Sequence, residues 1–153
     1  MKKCWFVFWL CLLLPALSVA QSITGSKVLD DVLAASESTL EEAEKNFKRY
    51  GIDCKVGIYY DADVRAVVYR YQFSEKSVYK QYTRPEAKAE VLQGMVSTLI
   101  QNDPSGRQLR VLVAELERVG CNIVVEAVLS GRKKEKTTRV TMTPADLAGA
   151  LVR

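Results

Sequence analysis

Residues 51–73 read GIDCKVGIYYDADVRAVVYRYQF, and the folding of this stretch decides how the rest of the chain must be arranged. Ile52, Cys54, Val56 and Ile58 alternate with Asp53, Lys55 and Tyr59, the period of two that marks a half-buried strand. The return segment offers two registers. One sets Arg70 and Gln72 beside the apolar residues of the first strand; the other sets Val67, Tyr69, Tyr71 and Phe73 there. A slip of one residue reverses every side chain, so burial selects the second. The reading places Ile58 opposite Val67, Val56 opposite Tyr69 and Cys54 opposite Tyr71. Asp61-Ala62-Asp63-Val64, or its inner pair, then forms the turn.

A similar order of helix, glycine, strand, turn and strand returns at residues 119–142, VGCNIVVEAVLSGRKKEKTTRVTM. Cys121, Ile123, Val125, Ala127 and Leu129 share one face, with Val140 and Met142 joining them, while Asn122, Glu126, Arg139 and Thr141 point away. Each hairpin has one apolar face, and an isolated hairpin is marginal in water, so the two are expected to share one sheet under helices.

The segments between them supply those helices. Ser26 caps an apolar-periodic run that includes Leu29, Leu33, Leu40 and Phe47 and ends at Gly51, with Ser38 and Glu41 able to restart it after a bend. Thr83-Arg84-Pro85-Glu86 fits a capping box ahead of Val91, Met95 and Leu99. Leu109, Leu112, Val113 and Leu116 form a further helix, which Gly120 stops in a left-handed conformation. Thr143-Pro144 opens a last short one. The fold expected is therefore α+β: a two-layer sandwich with a four-stranded, mainly antiparallel sheet, helices packed on one face, and the order α-ββ-αα-ββ-α. A duplicated α-ββ unit is one origin that this pattern allows, on layout alone.

Residues 1–20 read as a cleaved signal peptide rather than as part of the domain. Lys2 and Lys3 precede the apolar run Trp5–Leu14, which is short for a membrane span, and Ser18-Val19-Ala20 supplies the small residues of a cleavage site. Residues 21–153 then form a single domain. The whole chain carries a net +4; without residues 1–20 it keeps 20 basic and 18 acidic residues, a net of +2, so part of its basicity belongs to targeting. The expected location is the periplasm or the extracellular space, with no membrane span after cleavage.

Chemistry is constrained most by the absence of histidine anywhere in the sequence. Ser–His–Asp and Cys–His catalysis and His-ligated metal sites are thereby excluded. No Gly-rich phosphate loop or CxxC pair is present, and no catalytic, metal-ligating or cofactor-binding residue is assigned. Asp61 and Asp63 resemble a paired-carboxylate site, but aspartate is also a common turn residue. Cys54 and Cys121 each fall near the start of a strand on the core face. An oxidising compartment favours a disulfide between them, provided the two strands are parallel neighbours; otherwise they are buried thiols at opposite ends.

Two surfaces remain as candidates for recognition. Tyr59, Ala66, Val68, Val124 and Val128 fall on the outer face of the sheet and would serve a partner if they formed one patch. Arg132, Lys133, Lys134 and Lys136 make a basic tip suited to an anion, although without interleaved aromatics that favour nucleic acid. The functional expectation is a small exported, non-catalytic module binding a protein or peptide, or pairing as a homodimer, through its sheet face or an edge strand. The alternatives are an envelope glycan-acting enzyme using carboxylates, and a module binding an anionic polymer through residues 132–136.

Overall fold

The computed structural model describes residues 22–34, 37–131 and 133–151. The expected signal peptide, residues 1–20, lies outside them, as does Arg132. In chain order the elements are α1 (Lys27–Leu33), α2 (Glu37–Arg49), β1 (Cys54–Asp61), β2 (Ala66–Phe73), α3 (Lys76–Tyr82), α4 (Ala87–Asn102), α5 (Arg107–Val119), β3 (Asn122–Leu129), β4 (Lys136–Met142) and α6 (Pro144–Leu151). The strands form one mixed sheet in the order β1-β2-β3-β4. Both hairpins are antiparallel, and the central strands β2 and β3 pair in parallel. The α+β class, the four-stranded sheet and its helical cover all agree with the sequence reading. No helix among the described residues is long and apolar enough to cross a membrane.

The sorting of side chains by face is as the alternation predicts. Val67, Tyr69, Tyr71 and Phe73 of β2 join Ile123, Val125, Ala127 and Leu129 of β3 in one continuous core. Leu29, Phe47, Val91, Leu116 and Leu147 enter it from five helices. Phe47 meets Tyr71 edge-on at 5.5 Å and Phe73 at 6.2 Å, so α2 is locked onto the first hairpin by aromatic contacts.

Three details differ from expectation. The first hairpin keeps its predicted faces but pairs two residues further along: Cys54 lies opposite Phe73, Val56 opposite Tyr71, Ile58 opposite Tyr69 and Tyr60 opposite Val67. Its loop is accordingly Ala62–Arg65. A two-residue loop needs left-handed backbone at its first position or at both, and Ala62 suits neither arrangement. The longer loop instead lets the Asp63 N–H donate to Asp61 Oδ1 at 3.1 Å and places a single residue, Arg65, at φ 47°. The anticipated capping box at Thr83 is not formed; the Thr83 hydroxyl donates back to the Lys80 carbonyl at 2.8 Å and finishes α3, a helix the sequence reading did not include. The run that begins at Ser26 is divided into α1 and α2, as the restart near Ser38 allowed.

The ends of α1 and α5 are fastened together by charge. Ser26 caps α1, accepting from the Leu29 N–H at 3.4 Å, and donates its hydroxyl to Glu115 Oε2 at 2.7 Å. Arg118 binds the same carboxylate at 2.7 Å and the Gly25 carbonyl at 2.8 Å. These bonds hold the Glu115 carboxyl at about 2, well below its ordinary value, with Arg118 the larger cause.

Candidate functional site: the helix-free face and the two sheet edges

The face of the sheet away from the helices carries Tyr59 and Asp61 of β1, Arg70 of β2, Glu126 of β3 and Arg139 of β4, since residues directly opposite one another, and every second residue along each strand, share a face. Their side chains converge on Glu126, which is 5% exposed. Its Oε2 accepts from the Tyr59 hydroxyl at 3.1 Å and its Oε1 from Arg139 Nε at 3.1 Å, with Arg70 Nε 3.8 Å away. Arg139 also donates Nη2 to the Tyr59 hydroxyl at 3.0 Å and Nη1 to Asp61 Oδ2 at 3.0 Å. The Arg139 bond to Asp61 holds that carboxyl below its usual range. Burial, reinforced by Glu126, pushes the Tyr59 phenol up.

Arg139 reaches from β4 to β1, so its side chain must cross the two central strands, and Tyr59 reaches inward from the other side. Beneath that crossing lie Ala66, Val68 and Val124, a second apolar cluster against which Tyr59 packs. No side chain from a described helix joins it. This corrects the sequence reading of the partner face. Ala66, Val68, Val124 and Val128 are all at most 2% exposed, and Tyr59 is half-buried, so these residues do not form an exposed patch. Long polar side chains from the edge strands lie across the face instead. Asp61 and Asp63, the nearest pair of carboxylates in sequence, are likewise not a catalytic pair: Asp61 is engaged by Arg139 on one oxygen and by the Asp63 N–H on the other. Among the described residues no group of three histidine, cysteine, aspartate or glutamate side chains is arranged to hold a metal ion.

The disulfide expected between Cys54 and Cys121 is also corrected. Both thiols are free and buried. β2 separates β1 from β3, and β1 runs antiparallel to β3. Cys54 therefore lies beside Phe73 at one end of β2, and Cys121 precedes Asn122, which pairs with Ala66 at the other. At about 3.3 Å per residue the length of β2 stands between them, far beyond disulfide reach. Burial pushes both thiols up, that of Cys54 to about 12 with Glu44 adding to the effect.

The edges differ from one another. The parallel ladder is bounded by the Asn122 N–H donating to the Arg65 carbonyl and the Ser130 N–H donating to the Phe73 carbonyl, both at 2.9 Å. Even-numbered residues of β3 therefore turn their backbone groups to β2, and odd-numbered ones turn theirs to β4. By register, Lys136, Thr138, Val140 and Met142 complete the pairing with β3, and Thr137, Arg139 and Thr141 direct their N–H and C=O groups outward. None of those six outward groups has a hydrogen-bond partner among the described residues. The same argument turns Val56, Ile58 and Tyr60 outward on β1, where Glu44 of α2 interrupts the edge by accepting the Val56 N–H at 3.0 Å. Lys133 and Lys134, in the turn leading into β4, and Lys136 at its start are exposed and in no ion pair among the described residues.

No protein-family model, curated protein or solved structure matches this chain.

Proposed function

We propose that this chain is an exported, non-catalytic binding module that takes a protein or peptide partner by strand addition along β4. The observation that carries the reading is the row of unpaired N–H and C=O groups at Thr137, Arg139 and Thr141, on an exposed strand whose counterpart at the other edge is interrupted by Glu44. Such a row is a template for an added strand: main-chain bonds supply affinity and alternate side chains supply selectivity. Export rests on the charged start, short apolar run and small-residue site of residues 1–20.

Amide hydrogen exchange tests the edge. On adding a β-forming peptide, the amides of Thr137, Arg139 and Thr141 slow, while those of Ile58 and Tyr60 do not change. Proline is tolerated where the N–H faces outward, so Thr137→Pro keeps the β3–β4 ladder and loses the protection. Slowing confined to β1, or none anywhere, overturns the reading. Export is tested separately by sequencing the protein from the medium or periplasm of an expressing host; the expected first residue is Gln21.

A further inference from the structure

We propose that the segment received at the β4 edge is an acidic, extended polypeptide, whose carboxylates meet Lys133, Lys134 and Lys136. The inference rests on the reading of β4 as the binding edge and adds the chemistry of what binds there. Three ammonium groups stand at the N-terminal end of β4, exposed and without ion-pair partners among the described residues, next to a strand whose outward backbone groups are unfilled there. The two features are contiguous, so a chain added along Thr137, Arg139 and Thr141 runs directly past the lysines. Carboxylate side chains fit that end by charge complementarity.

The alternatives fit less well. A second copy of the chain, paired antiparallel β4 to β4 through Thr137, Arg139 and Thr141, would set Lys136 of each copy opposite Met142 of the other and bring no carboxylate to the lysines. Lysine on an edge strand commonly guards against such self-pairing. An anionic polymer without a peptide backbone would meet the lysines yet leave the edge donors and acceptors unfilled. At β1 an acidic chain would meet Glu44, which already occupies the Val56 N–H, so the molecule sorts acidic strands toward β4.

The test uses the full chain and three fluorescent peptides of alternating valine and threonine. One carries glutamates at one end, the second glutamines there, the third lysines. In about 0.1 M salt, where screening acts over about 10 Å, the acidic peptide is expected to bind roughly tenfold tighter than the neutral one; in about 1 M salt that advantage disappears. Lys133→Gln, Lys134→Gln and Lys136→Gln combined erase the advantage and leave the neutral peptide's affinity unchanged. These residues are exposed, so the variant keeps its fold, which its thermal transition checks. Thr137→Pro weakens all three peptides. Equal affinity for acidic and neutral peptides, both lost in Thr137→Pro, overturns the acidic chemistry and leaves the edge in place. If no peptide binds, both readings fall. An acidic peptide that binds Thr137→Pro as tightly as the parent chain, and is displaced by polyphosphate from both, would also overturn the proposal, in favour of an anionic polymer.

Discussion

Glu126 places a carboxylate between valines at the centre of a sheet, and its neighbours determine what that costs. The group is almost fully buried, while Arg139, its main partner, is 36% exposed in its side chain. Replacing Arg139 with methionine keeps much of the stem that crosses the face but leaves the carboxylate without its cation. A fully buried pair broken in this way loses 3–5 kcal/mol; with one partner in contact with water the expected loss is about 2 kcal/mol. Glu126→Gln combined with Arg139→Met should recover more than half of it, because the stranded charge is gone. Urea unfolding of the two single variants and the double one checks this, and strictly additive losses would mean the groups are not coupled. The thiols make a second case at this scale. Neither Cys54 nor Cys121 should react with a thiol reagent in the native protein, and both should in urea; a native mass that changes on reduction would restore a disulfide. Because burial raises the Cys54 thiol from 9.0 to about 12, the native state keeps a proton that the unfolded chain releases. The stability this contributes is intact below about pH 9 and is lost as pH rises toward 12, so the urea midpoint should fall across that window. The buried phenols of Tyr71 and Tyr82, also pushed up by burial, act in the same direction.

Helix α2 does more than cover the core, because Glu44 reaches past the sheet's rim to the Val56 N–H and to Lys55 Nζ at 3.4 Å. Glu44→Ala should cost about 1 kcal/mol for the lost hydrogen bond and leave β1 with an uninterrupted edge. The second effect is the more diagnostic: light scattering should report concentration-dependent association in Glu44→Ala. Glu44→Gln keeps an acceptor oxygen at the same place and should remain as dispersed as the parent chain. Equal behaviour of the two variants would mean that the bond does not guard the edge. Contacts of this kind are not legible in sequence. Glu44 reads there as a polar residue of an amphipathic helix, and its partner is fixed only by how α2 docks. Helix α3 escaped for a different reason. Val78, Tyr79 and Tyr82 are helically spaced and buried, but seven residues give too short a window for the period to be recognised. Faces were legible where elements were not, since burying Tyr69, Tyr71 and Phe73 fixed the parity of β2 even though its register moved by two residues.

For the molecule as a whole, alternation tells which side of a strand is buried but not which strands are neighbours. That is why the parallel join of β2 to β3, and with it the separation of Cys54 from Cys121, was beyond the sequence. The closed state of the helix-free face was hidden for a related reason: Arg139 and Tyr59 meet only once all four strands are in order. The same join bears on whether the two α-ββ units are independent. Each hairpin contributes one central strand, and β2 pairs with β3 over its full length, Ala66–Asn122 through Phe73–Leu129. The core is one cluster drawing on both units, and α4, which follows the first hairpin, packs against β4 and α6 of the second. Dividing the chain between Pro104 and Ser105, in the exposed turn separating α4 from α5, strips each piece of its central pairing. The first piece then bares Val67, Tyr69, Tyr71 and Phe73 along one side of β2; the second bares Ile123, Val125 and Ala127. A lone hairpin with part of its helical cover is marginal, so neither piece should give a sigmoidal urea transition by circular dichroism. Their mixture should give one, because the eight-residue β2–β3 ladder and the shared core reform together. A cooperative transition in either piece alone would mean that an α-ββ unit is a folding unit in its own right, as a duplicated origin requires of its ancestor.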